Sequence, residues 1–206
     1  MHGVIRQYRV DSSQVAEIVR RVGEGFVPLI SDAPGFISYA ILDAGTAGLL
    51  TISFFEDEAM ADESVMMAAT WIKGNLVAQL PDPPQVTRGR VTLRDARENR
   101  QFGAGVIRRY TRVDSRRVDD ITQLVSEGLL PMIASTPGFA VYSLLDAGSG
   151  VLVSLSAFAD RAAADTSNRD SVEWVKKNLA DLLPNPPEVI TGDIKLRTGR
   201  AVAAKT

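Results

Sequence analysis

Apolar and polar positions divide the chain into short runs of two periods. Val4 to Val10 (VIRQYRV) reads as a first strand. Val15, Ile18, Val22, Phe26 and Leu29 then recur at spacings of three and four, which predicts one buried face of a helix. Asp11 and Ser12 are its N-cap candidates, because their oxygens can accept from free N–H groups of the first turn. Gly25 and Pro28 are expected to loosen its last turns, and Pro34–Gly35 ends it. Phe36 to Leu42 and Leu49 to Phe55 are apolar runs joined by Asp43, Ala44 and Gly45, a hairpin pattern. A second helix is predicted from Glu58 to Gln79, stopped by Pro81, Pro83 and Pro84. Val86 to Leu93 closes the unit as a strand.

The pattern then repeats. From Asp11 to Leu93 the second copy follows at a constant spacing with no gap, and about 36 of the 83 aligned pairs are identical. PGFISY from Pro34 returns as PGFAVY from Pro137, and WIKGNLVAQLPDPPQV from Trp71 as WVKKNLADLLPNPPEV from Trp174. Each unit therefore has the order β-α-β-β-α-β, the ferredoxin-like pattern of an α+β protein. Both helices should cover one face of an antiparallel sheet. The other face is also apolar, and two units can hide it by packing sheet to sheet. The expected domains are 1–94 and 105–197, with a charged linker at 95–104 and a polar tail at 198–206.

Composition narrows the partners. The 206 residues are 45% apolar with a net charge of −2, so no basic field holds a nucleic acid and no stretch is long enough to span a membrane. The first ten residues lack the apolar core of a signal peptide. Cysteine is absent, which removes disulfides and thiolate metal sites and suits a cytoplasmic protein. No cofactor-binding or metal-binding motif is present.

The topology, the PGF-x-x-Y segment and the tryptophan on the second helix resemble the antibiotic biosynthesis monooxygenase-like group. That resemblance implies a dimeric α/β barrel, here formed within one chain, with further homo-oligomers open. It implies a cavity between helices and sheet for a small hydrophobic or aromatic ligand. It also implies a cofactor-independent monooxygenase or a non-catalytic binding or structural protein. The haem-degrading branch of the group uses a second-helix histidine, whereas the only histidine here is His2.

Ser64, Trp71 and Asn75 form a line along the second helix, repeated by Ser167, Trp174 and Asn178. The indoles could stack on a planar ligand and the carboxamides could stabilise its anion. Tyr39 and Tyr142 could orient the ligand from the second strand, and Met67 could line the cavity. Glu24 and Glu127 would be general bases only if burial raised their pKa. Val65, Met66 and Met67 align with Asn168, Arg169 and Asp170, so any two cavities should differ.

Overall fold

A computed structural model describes residues 1–97 and 100–200. Both repeats have the expected element order. The first contains β1 (His2–Tyr8), α1 (Val15–Arg21), a π-helical turn (Val22–Phe26), α2 (Val27–Ser31), β2 (Phe36–Asp43), β3 (Leu49–Phe55), α3 (Glu58–Asn75) and β4 (Gln85–Ala96). The second contains β5 (Ala104–Tyr110), α4 (Val118–Leu124), a π-helical turn (Val125–Leu129), α5 (Leu130–Ser135), β6 (Phe139–Asp146), β7 (Leu152–Phe158), α6 (Arg161–Asn178) and β8 (Glu188–Gly199). The strands hydrogen-bond in the closed order β1-β3-β2-β8-β5-β7-β6-β4, an eight-stranded barrel.

The last strands are longer than the sequence suggests. β4 runs through Asp95 and Ala96, and β8 through Gly199, so these positions are neither linker nor tail. Charge alone does not end a strand whose ladder continues: Arg94 pairs opposite Ser143 and Asp95 opposite Tyr142. Glu98 and Asn99 of the expected linker, and 201–206 of the expected tail, lie outside the described residues. One compact unit comprises Met1–Arg88 with the chain from Ile194, and the other comprises Gly89–Asp193. The boundaries therefore fall inside β4 and β8 rather than between the repeats.

The core of the first unit joins Val4 and Tyr8 of β1 and Tyr39 and Ile41 of β2 to Ile18, Val22, Phe26 and Ile30 of the helices. Ile5, Leu42, Leu50 and Phe54 belong to no part of that cluster yet are buried too. The sheet is thus buried on both faces, as its unbroken apolar runs require.

One expected core position is misplaced. Leu29 is 51% exposed and Ile30 takes its place in the core. The cause is the π-helical turn, in which Val27 N–H reaches back five residues to the Val22 carbonyl. The wider turn inserts one residue, so the buried face advances by one position. Pro28 lacks the N–H that an α-turn would use, which favours the wider geometry. Pro131 and the turn at Val125–Leu129 repeat the device.

Helix α3 begins at Asp57, whose carboxylate accepts from Met60 N–H at 2.9 Å, and Asp160 caps α6 in the same way. Asp57→Ala should lower unfolding free energy by about 0.5–2 kcal/mol, while Asp57→Asn should cost much less. Urea denaturation followed by circular dichroism tests this, and an unchanged midpoint in the alanine variant would show the cap to be idle.

Candidate functional site: an aromatic cavity beside a buried arginine

In the first unit the helices and sheet enclose a cavity of about 20 Å³, enough for one water-sized guest and too small for an aromatic ring. Its wall includes Tyr8, Phe26, Tyr39, Thr51, Ala68 and Trp71. Phe26 meets Tyr39 edge-on at 5.8 Å and Trp71 at 5.5 Å between ring centroids. Phe26 comes from the π-helical turn, so the helix irregularity and the cavity share a residue. Its counterpart in the second repeat is Leu129, and this aromatic trio is a property of the first unit.

Gly25 explains how Trp71 fits. A Cβ at this position would stand 2.9 Å from Trp71 Cζ2, closer than packed side chains approach. The indole lies against bare backbone, and Gly128 receives Trp174 in the same way.

The expected Ser64–Trp71–Asn75 line is not gathered on the cavity wall, where only Trp71 of the three lies. Trp71 is half-buried and lines the cavity. Asn75 is exposed, and its amide donates to the Trp71 carbonyl at 2.7 Å. It caps the end of its own helix and is not on the cavity wall. Asn178 does the same with the Trp174 carbonyl, also at 2.7 Å. Met67 packs on the core without lining the cavity. Glu24 is exposed and paired with Arg20, and Glu127 is exposed and accepts from Gln123. Neither carboxylate reaches the cavity. Arg88 and Arg90 are spent on ion pairs with Asp62 and Asp146. His2 lies on β1, 3.9 Å from Glu58.

Ser64 is buried for a reason the sequence reading missed. It accepts a hydrogen bond from Arg6 Nη2 at 2.8 Å and donates to the Ala61 carbonyl at 2.6 Å. Arg6 is 1% exposed, and Arg108, its repeat counterpart, is 2% exposed. Arg6 Nη1 donates to Ser53 at 3.2 Å, and Arg108 Nη1 to Ser156 at 3.1 Å. In the second unit Asn168 accepts from Arg108 Nε at 3.0 Å, while Ser167 and Arg108 Nη2 are buried without partners. The signal was available: Arg6 stands two residues from both Val4 and Tyr8, in the inward register of β1.

Arg6 lies opposite Thr51 in the β1–β3 ladder, and Tyr39 lies opposite Ser53 in the β2–β3 ladder. Burial pushes the Tyr8 phenol up to about 12, partly opposed by the Arg6 charge. Burial also raises Tyr39 strongly, with Tyr8 adding to the rise and Arg6 and Thr51 opposing it. Tyr142 and Tyr110 are raised chiefly by burial as well. All these phenols keep their protons at neutral pH and can donate but not serve as bases.

This arrangement is that of a tandem α+β protein of the ferredoxin-like fold, its strands closed into an eight-stranded barrel. Residues 1–65 match the family model described as antibiotic biosynthesis monooxygenase. The fold is shared with a provisionally named monooxygenase from Fusobacterium nucleatum, at 7% identity and a TM-score of 0.74, over 97% of this chain and 94% of that one. An anthrone oxidase-like protein matches at 12% identity and a TM-score of 0.64, over 100% and 96% of the two chains. A heme-degrading enzyme from Listeria monocytogenes matches at 9% identity and a TM-score of 0.52, over 94% and 99%. At these identities the likeness is one of fold. No curated protein matches the sequence. Among the described residues, no helix is long and apolar enough to cross a membrane.

Gly25→Ala should destabilise the protein by about 1–3 kcal/mol through overpacking against Trp71, with a shift in tryptophan emission. Equal stability and an unchanged spectrum would mean that the indole does not rest on this turn.

The four tyrosines supply a pH test. Free tyrosine ionises near 10, and the folded protein holds these protons more tightly. The resulting stability is complete below pH 10 and is lost as pH rises toward about 12 for Tyr8. Tyrosinate absorbance should therefore appear only well above pH 10, together with unfolding. A reversible titration of folded protein near pH 10 would contradict the burial.

Proposed function

We propose that the first unit binds a small, planar, largely apolar molecule between its helices and sheet and oxygenates it without a cofactor. The observation that carries this reading is the aromatic wall of Phe26, Tyr39 and Trp71 against a π-helical turn. A ring would stack on Trp71, and the ligand's oxygen would accept from Tyr39 or Tyr8. The anion-stabilising role expected of Asn75 passes to these tyrosines, because Asn75 faces solvent. Trp174, Tyr142, Ser167 and Asn178 repeat the frame around Leu129, without the aromatic trio.

The cavity wall holds no carboxylate and no imidazole. The substrate must therefore ionise through its own acidity, which favours phenols and ketones with acidic C–H bonds. The substrate anion passes an electron to oxygen, the resulting radicals combine, and loss of water converts CH2 plus O2 into C=O plus H2O. The present volume of about 20 Å³ requires the wall to open for a ring, and the Val22–Phe26 turn is the segment suited to yield. That small volume also favours a second reading, a non-catalytic binding or structural protein.

Oxygen uptake with a panel of hydroquinones and anthrones, alongside Trp71 fluorescence in a Trp174→Phe background, separates the readings. The oxygenase reading expects saturable fluorescence change with oxygen consumption, and turnover reduced about 100-fold in Tyr39→Phe. Fluorescence change without uptake leaves a binding protein, and neither response leaves a structural one.

A further inference from the structure

Among the described residues, Arg6 and Arg108 are the largest fully buried side chains, and neither touches a carboxylate. A guanidinium keeps its charge under all conditions of folding. Each is satisfied only by neutral groups, Ser53 and Ser64 in one unit and Ser156 and Asn168 in the other. Each also keeps one buried N–H unit without a partner, Nε of Arg6 and Nη2 of Arg108. Ser167 Oγ is a further buried orphan, at the position whose counterpart, Ser64, bonds Arg6 directly. The neighbouring phenols cannot supply the missing charge, since Tyr8, Tyr39, Tyr110 and Tyr142 hold their protons. A buried cation with orphaned donors and no internal counter-charge calls for an anion from outside.

We propose that each guanidinium binds a monovalent anion drawn from solution, through Arg6 in the first unit and Arg108 in the second. The anion is either a free halide or small carboxylate, or the acidic group of a larger ligand. In the first unit Arg6 faces Thr51, and Tyr8 follows it on the same side of β1, both on the cavity wall. A carboxylate or phenolate held there would carry its apolar body toward Phe26 and Trp71. Only this larger-ligand version rests on the cavity reading above. The repeat of the arginine in both units, with a serine of the neighbouring strand as partner in each, makes the anion site independent of the aromatic trio.

The test is a thermal-stability titration of the full chain at constant ionic strength, with gluconate as the bulk anion. Chloride, formate, benzoate and its neutral isostere benzamide are exchanged in separately. Binding to the folded state alone should give a saturable rise in Tm, about 3–6 °C for each occupied site at tenfold excess over Kd and about twice that with both sites filled. The rise should disappear in Arg6→Gln/Arg108→Gln and persist in Arg6→Lys/Arg108→Lys. A response to chloride and formate identifies free anions, and a response to benzoate alone, with benzamide inert, identifies the acid group of a ligand. Either result stands whether or not oxygen is consumed. A wild-type protein whose Tm shows no saturable dependence on chloride, formate or benzoate overturns the proposal without recourse to the variants. So does a response that the glutamine variant retains. Tryptophan fluorescence that responds to anthrones while Tm ignores every anion would leave the cavity reading intact and this inference rejected.

Discussion

The sheet of this protein is apolar on both faces, and everything else answers that constraint. Val4 and Ile5, or Leu49 and Leu50, are consecutive and buried although their side chains point to opposite sides. One face must be roofed by helices. The roof is short of length, because a proline interrupts it, and a π-helical turn absorbs the interruption. That turn sets which residues descend toward the sheet. Phe26 descends, Leu29 does not, and Gly25 leaves a flat patch on which Trp71 can lie. The cavity is the small remainder of this fitting, so its aromatic wall follows from helix geometry as much as from ligand recognition.

The polar members of the same layer obey a different rule. Arg6, Ser53 and Ser64 form a chain of hydrogen bonds in which only one member is charged. Neutral hydroxyls can orient a guanidinium but cannot offset the cost of dehydrating its charge. The second unit arrives at a related compromise with different atoms, since Asn168 replaces the direct contact to the helix serine. Two solutions to one problem indicate that the cation itself is the retained element.

Much of this was legible in the chain. The repeat and the order of elements follow from spacing, and Asp11, an expected cap, accepts from Ser13 N–H in the 3-10 turn that precedes α1. Asp43 and Asp146 accept from the backbone of their turns as such residues do. What was hidden depended on phase and on ends. The extra residue of the π-helical turn moved the buried face from Leu29 to Ile30, and no periodicity count anticipates an insertion without a gap. Asn75 fits a helical line with Ser64 and Trp71, but the helix stops there and its amide turns back to a free carbonyl. Arg6 was passed over because arginine on a strand is read as a surface residue, although its register with Val4 and Tyr8 placed it inside. The strand lengths failed for a related reason: Arg94 and Asp95 look like linker, yet the ladder with β6 carries them.

The sharing of β4 and β8 between the two compact units changes what a half of this protein is. The boundary that the duplication left in the gene and the boundary that contacts draw in space do not coincide. A fragment cut between the repeats would carry the end of β4 without its β6 partner and would lack the residues of β8 from Ile194 onward. A substitution in β4 or β8 therefore bears on both compact units, whereas one at Phe26 or Leu129 bears on its own repeat.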